Sequence, residues 1–296
     1  MIKKALGALA LLGFASLPVP ALAQHGHYLT GLEGIRAGSL PTNQGAYWKM
    51  YNAFYNASTW KDNDGNSAAG KNDLSIYALV NRFGYVSSMQ LWGGNVAFSV
   101  NIPLQYTSNN KGGTKASRFD LADPSIEPFV VVWNDLQYDA LAGLGIYFPA
   151  GNFDETKIAS AGRGFWTVML SGGGTYYFDN DRMWTASAIG RYEFNTKQKR
   201  TKITPGDDFH IEWSLAKKFD NNWELGATGY AHWQVTRDSG PSAFRKKERA
   251  YALGPEVIFR AVPHLHLDLS LRSQWEFASR NAHEGNLTTL TLIKAF

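Results

Sequence analysis

The chain has 296 residues, 29 basic against 25 acidic side chains, a formal charge of +4 and no cysteine. Disulfide frameworks, thiol chemistry and Cys-based metal sites are therefore excluded, and a charge this small implies no nucleic-acid or other polyanionic partner. Beyond the first residues no stretch approaches ~18 uninterrupted apolar positions, which excludes membrane-spanning helices.

Met1-Ile-Lys3-Lys4, an apolar run from Ala5 to Leu17 and a closing Ala21-Leu-Ala23 form the basic, hydrophobic and small-residue parts of a secretory signal peptide over 1–23. Export is the expectation, and losing Lys3 and Lys4 lowers the charge of the remainder further. Residues 24–43 carry glycines but no sustained period, and read as an irregular segment ahead of the first strand.

From Gly45 onward, alternating or aromatic-rich blocks recur with turn chemistry between them. The predicted strands are 45–58, 73–86, 94–107, 124–134, 136–149, 164–178, 184–196, 208–219, 223–237, 249–262, 264–280 and 285–296. After the even-numbered strands come tight links such as Asn134-Asp135, 179–182, 220–222 and Pro263, with 87–93 a looser case. After the odd-numbered strands the links are mostly long, polar and glycine-rich, at 59–72, 108–123, 150–163, 197–207 and 238–248, with a short one at 281–284. Long and short links alternating through twelve strands predict an all-β fold, a transmembrane antiparallel up-and-down β-barrel spanning 44–296 in the bacterial outer membrane. Closure also removes the exposed strand edges.

The clearest strand runs from His264 to Phe277. Leu265, Leu267, Leu269, Leu271, Trp275 and Phe277 share one parity, broken only by Ser273. His266, Asp268, Ser270, Arg272, Gln274 and Glu276 share the other. A period of two throws these sets to opposite faces, one for lipid and one for a wet interior. The same reading turns Phe209, Ile211, Trp213 and Leu215 outward and His210, Glu212 and Ser214 inward. It turns Trp223, Leu225, Trp233 and Val235 outward and Glu224, Thr228, Tyr230, His232 and Gln234 inward. Tyr251, Leu253, Val257 and Phe259 face out, with Glu256 and Arg260 inside, and Arg191 and Glu193 are also assigned inward. Parity leaves the first, second and fourth strands ambiguous. Burying such charges in hydrocarbon costs about 2–4 kcal/mol for Arg or Lys at midplane, so the interior is their place. The candidate lining is therefore Arg191, Arg260 and Arg272 against Glu193, Glu212, Glu256, Asp268 and Glu276, with Tyr230 between. These groups are expected both to pair across the lumen and to sort solutes.

Other motifs carry less. Gly65 to Asn72 nearly matches a phosphate-binding loop, but it ends in Asn72 and precedes a strand. His25-x-His27 and His264-x-His266 lack a third ligand at helpful spacing, so no metal and no cofactor is expected. His232 and Ser239 make no recognisable nucleophile–base pair, so an enzyme is not the expected reading. The basic clusters Lys197, Lys199, Arg200 and Lys202, and Arg245, Lys246, Lys247 and Arg249, fall on outer loops. They are either solvated charge or contacts to lipopolysaccharide phosphates.

His27 to Pro41, Gly45 to Tyr55, Asp123-Pro-Ser-Ile-Glu-Pro128, Gly145 to Gly151, Gly229-Tyr-Ala-His-Trp-Gln234 with Asp238-Ser-Gly240, and Gly254-Pro-Glu-Val257 together resemble the outer-membrane channel family named for phenol-degradation meta-pathway (MetA-pathway) transport. The resemblance spans nearly the whole chain after the signal. It implies a monomeric twelve-strand channel whose N-terminal segment folds into the lumen. Leu32, Glu33, Ile35 and Arg36 become occluding, gating candidates, and Tyr47, Tyr51 and Tyr55 their wall partners. Passive uptake of a small hydrophobic or aromatic solute is the expected function. A channel for small polar or anionic solutes steered by Arg191, Arg260 and Arg272 is the alternative; a barrel enzyme acting on lipids and a purely structural role rank below it. The terminal Phe296 resembles the signal read by the barrel assembly machinery, and outer-membrane lipid is the expected surroundings.

Overall fold

The computed structural model describes residues 26–41, 43–220 and 222–296 of the chain. The signal stretch 1–23 and His25 lie outside the described residues. The strands are β1 (Gly45–Lys61), β2 (Asn72–Leu91), β3 (Gly94–Lys111), β4 (Thr114–Leu121), β5 (Ser125–Asn134), β6 (Tyr138–Tyr147), β7 (Thr167–Tyr177), β8 (Trp184–Asn195), β9 (Asp208–Lys218), β10 (Trp223–Gln234), β11 (Arg249–Val262), β12 (Leu267–Arg280) and β13 (Ala282–Ala295). Each pairs antiparallel with its neighbour. β1 pairs with both β2 and β13, and β2 pairs with β3, which closes the sheet on itself. β4 hangs on β3 alone, outside the ring, so the thirteen strands less β4 give a closed twelve-strand barrel.

Turn chemistry explains both this count and three corrections to the sequence reading. Residues 108–123, read as a loop, are instead a hairpin: β3 runs on to Lys111, and Gly112-Gly113, at φ 59° and 91°, turn the chain into β4. Two residues with positive φ are what a type I′ turn requires, and its twist matches that of the flanking strands. The looser link at 87–93 is also a two-residue turn, because β2 continues to Leu91 and Trp92-Gly93 take positive φ. At the other end of the chain, Pro263–Leu265 form a single 3-10 turn and His266 closes it at φ 49°. The last long strand thus starts at Leu267, and His264, Leu265 and His266 belong to a turn, off the two faces assigned to them.

The faces follow the period of two. On β12, Leu271, Trp275 and Phe277 are half-exposed on the outer surface, whereas Ser270, Arg272 and Gln274 between them are buried. The strands of unassigned parity are settled as well. β1 turns Tyr47, Lys49, Tyr51 and Tyr55 inward, β2 turns Leu74, Ala78 and Arg82 inward, and Phe83 and Tyr85 face out. β5 resisted a parity reading for a physical reason. A bulge between Ile126 and Phe129 shifts its phase, so Ser125 and then Val130 and Val132 belong to the interior, while Val131 between them is buried as well. Outward aromatics stack in register near both rims, for example Phe209 on Trp233 and Trp223 on Phe259, as the interfacial girdles of a membrane barrel do.

Leu253 lies outward near mid-height, paired with Gly229 and Trp275 on the flanking strands. Leu253→Arg should destabilise the barrel by about 2–4 kcal/mol in reversible unfolding from lipid vesicles. A change within about 0.5 kcal/mol would show that this face does not meet hydrocarbon.

Candidate functional site

The segment before β1 runs back through the barrel, and the wall is built to hold it. Six of its backbone N–H groups, which a strand or helix would otherwise satisfy, go to wall side chains, and those of Leu32, Ala37 and Ser39 close turns within the segment. His27 and Tyr28 donate to Glu193 on β8 at 3.1 and 3.0 Å. Gly31 and Glu33 donate to Glu212 on β9 at 2.8 and 3.0 Å. Ile35 donates to Glu256 on β11 at 2.8 Å, and Gly38 to the Ser187 hydroxyl at 2.9 Å. In the other direction Arg272 on β12 donates to the carbonyls of Gly31 and Leu32 at 2.7 and 2.8 Å. Arg191 completes the lattice: it bonds Glu212 and lies 4.3 Å from the Tyr28 ring centre, while the Tyr28 hydroxyl also donates to Glu212.

Side chains of the segment reach the opposite wall. Glu33 accepts from Lys49 and Arg82 at 3.0 Å each and from the Tyr51 hydroxyl at 2.7 Å. Burial alone would push this carboxyl up; Lys49, Arg82 and Arg191 outweigh it and hold it well below the usual carboxylate range. Arg36 pairs with Glu224 at 2.6 Å, and Ser39 donates to Asp139 and Thr175 at 2.8 Å. Near the outer end, His27 bridges Asp123 at 2.9 Å and Thr167 at 2.7 Å and stacks on Tyr147. The spacing mimics a hydroxyl–base–acid triad. Thr167, however, is fully buried and donates to Asn195, which makes the group an anchor.

Glycine makes the close fit possible. A Cβ on Gly38 would stand 2.2–2.4 Å from the backbone of Gly174, and one on Gly34 only 1.8 Å from Glu256 Oε2. Gly38 and Gly174 therefore cross backbone to backbone, which no other residue type permits.

Every lining and occluding residue expected from the sequence lies inside the barrel. Arg191, Glu193, Glu212, Glu256 and Arg272 clasp the segment directly, and Leu32, Glu33, Ile35 and Arg36 are the parts they and the other walls hold. Tyr51 touches Glu33, whereas Tyr55 and Tyr230 both donate to Glu276, at 2.7 and 2.9 Å. Arg260 and Asp268 pair at 3.2 Å near the periplasmic rim, apart from the clasp. Tyr47 packs against Gly84 beside Ala37. Lys49, Arg82, Tyr28 and Thr30, the last bonded to His210, were not singled out by sequence, and His27 was weighed only as half of a His-x-His pair: parity was silent on β1 and β2, and the segment has no period to read. Its glycines were the available signal.

Among the described residues, two spaces flank the segment. One lies between the segment and the walls of β1, β2, β3 and β5. Leu29, Leu32, Ile76, Val80, Pro103 and Tyr147 give it most of its apolar lining, and His27, Glu33, Arg82, Asn101, Asp123 and Arg163 add polar and charged groups. The other is a polar vestibule at the periplasmic end bounded by Arg36, Tyr177, Arg182, Arg260 and Asp268. The segment lies between them.

Two substitutions test the clasp. Glu212→Ala removes the acceptor of Gly31 and Glu33 and leaves Arg191 buried without its partner. It should cost about 3–5 kcal/mol in unfolding experiments and expose the segment to added protease. Gly38→Val should displace the segment with the barrel intact, raising single-channel conductance in planar bilayers; a conductance equal to wild type would contradict the Gly38–Gly174 contact.

Comparison with known proteins agrees with this architecture. The chain superposes on the COG4313 outer membrane channel of Pseudomonas putida F1 with a TM-score of 0.78, covering 88% of this chain and 97% of that one at 12% identity, a likeness of fold. The CymD monoaromatic hydrocarbon channel (TM-score 0.45, 10% identity, 86% and 89% covered) and a Pseudomonas aeruginosa FadL homologue (0.43, 8%, 85% and 89%) are too distant to carry an argument. No curated protein matches the chain in sequence. The profile of the family described as "Putative MetA-pathway of phenol degradation" matches residues 57–292. The chain, a closed twelve-strand barrel of the bacterial outer membrane, belongs to that family.

Proposed function

We propose that the protein is a passive channel for small hydrophobic or aromatic molecules, gated by residues 26–41. The observation that carries this reading is the apolar space between the segment and β1–β3. It is floored by Leu29 and Leu32 of the segment itself and walled by Ile76, Val80, Pro103 and Tyr147. Apolar surface with a few polar groups at its edge is the usual makeup of a site for a small organic ligand. The chemistry of the family's namesake pathway agrees in kind. A solute resting there reaches the vestibule below only if the segment shifts, so the segment sets the rate.

The alternative, a channel for small anions steered by arginine, finds less support. Arg191 and Arg272 are spent on Glu212, Glu256 and the segment's carbonyls, and Arg260 is neutralised by Asp268. A paired guanidinium supplies little net field.

Uptake decides between them. Vesicles or cells carrying the intact protein should take up toluene-sized aromatics faster than controls, and Leu32→Glu, which puts a charge on the floor of the apolar space, should cut that uptake about tenfold. Deleting residues 26–41 should raise ion conductance while removing the preference for aromatics. Aromatic uptake that responds to neither change would overturn the proposal.

A further inference from the structure

At the outer rim, β11 and β12 place two arginines side by side. Arg249 and Arg280 are register partners across the strand pair, and the next outward pair below them is Tyr251 and Phe277. Both arginines lie on the lipid-facing side: Arg249 stands over the Tyr251 ring at 6.0 Å, and Ser279, next to Arg280, is the buried neighbour that points inside. Like charges directly opposed on adjacent strands repel. Among the described residues, neither guanidinium is in an ion pair. Arg280 spends one N–H on the Asn63 carbonyl, and the Arg249 Nε is buried with no hydrogen-bond partner. The acids on these strands and beside them do not serve. Glu248 is buried, and Glu284 is held by Lys61 at 3.3 Å and the Ser279 N–H at 3.0 Å.

The surroundings specify the missing partner. Exposed Arg245, Lys246 and Lys247 lie just before Arg249, with the buried Glu248 between, adding positive charge above the pair. Below it Trp233, Tyr251 and Phe277 form a continuous row, with ring centres 5.6 and 6.0 Å apart, the arrangement that marks a membrane–water interface. Long loops place this rim at the cell surface, in the outer leaflet. A ligand that sets a multiply charged anion at this height and lays acyl chains along the aromatic row satisfies every feature at once. Guanidinium forks fit phosphate in bidentate fashion.

We infer that Arg249 and Arg280 form a binding site for a lipid-borne sugar phosphate of the outer leaflet, a lipid A phosphate of lipopolysaccharide, whose chains pack on Tyr251 and Phe277. The site is on the outside of the barrel and independent of what the lumen carries.

The test uses the whole protein purified in detergent, with bisphosphorylated lipopolysaccharide, the same lipid after phosphatase treatment, and inorganic phosphate as probes. Native mass spectrometry counts bound lipid, and thermal unfolding reports the coupling. Wild type should retain bisphosphorylated lipid and melt higher with it; phosphatase-treated lipid should bind at least tenfold more weakly. Arg249→Gln with Arg280→Gln should lose that difference, and Arg249→Lys with Arg280→Lys should keep part of it. Equal retention by wild type of both lipids overturns the proposal, and does so even if the glutamine variant fails to fold. So does a glutamine variant that folds and binds as wild type. Inorganic phosphate that displaces the lipid at millimolar concentration would make the site one for free anions, against the lipid assignment.

Discussion

The structure depends on one constraint: a carboxylate removed from water must be given donors, and a chain without regular structure must be given acceptors. Glu193, Glu212 and Glu256 meet both demands together, because each accepts backbone N–H groups of the segment that fills the barrel. Desolvating either side alone would cost several kcal/mol per group. Joined, they form a lattice in which Arg191 and Arg272 supply the remaining donors. The segment needs no helix or strand of its own because three wall strands do that work. Its glycines let the backbone approach closely enough for the bonds to form.

The same lattice explains how one barrel can have a heavily charged interior and still present an apolar space. Charge is concentrated on β8, β9, β11 and β12, where it grips the segment. Residues 27–32 turn Leu29 and Leu32 toward β1–β3, where Ile76 and Val80 wait. The leucines on one flank of the segment thus link the packing of the lumen to the character of the space left beside it.

Much of this was legible in the sequence. Strands whose outer face is a nearly continuous apolar row, such as 208–219 and 267–280, declare barrel, parity and inward charges, because hydrocarbon penalises polar exceptions. Legibility failed where that pressure is absent or the phase changes. On β1 the inward residues are Tyr47, Tyr51 and Tyr55, as hydrophobic as the outward Trp48 and Phe54, so alternation is hidden. On β5 a bulge breaks the count. The β3–β4 hairpin rises on the outer side of the barrel, where polar residues such as Ser108, Asn109, Lys115 and Arg118 read as loop. The clasp was half visible: the glutamates and arginines could be placed in the lumen, but their partners are backbone amides of an aperiodic segment, and a backbone amide leaves no mark in sequence.

Glu33 gives the arrangement a consequence for an emptied barrel. It is the counter-charge of Lys49 and, with Glu127, of Arg82 on β1 and β2. Glu212 and Glu256 keep Arg191 and Arg272 as partners whether or not the segment is present. Withdrawing the segment would therefore bare a basic patch beside Lys49 with no equal acidic excess opposite it. An emptied bore would carry its excess charge on one side only, a polarity of the wall that the filled barrel hides.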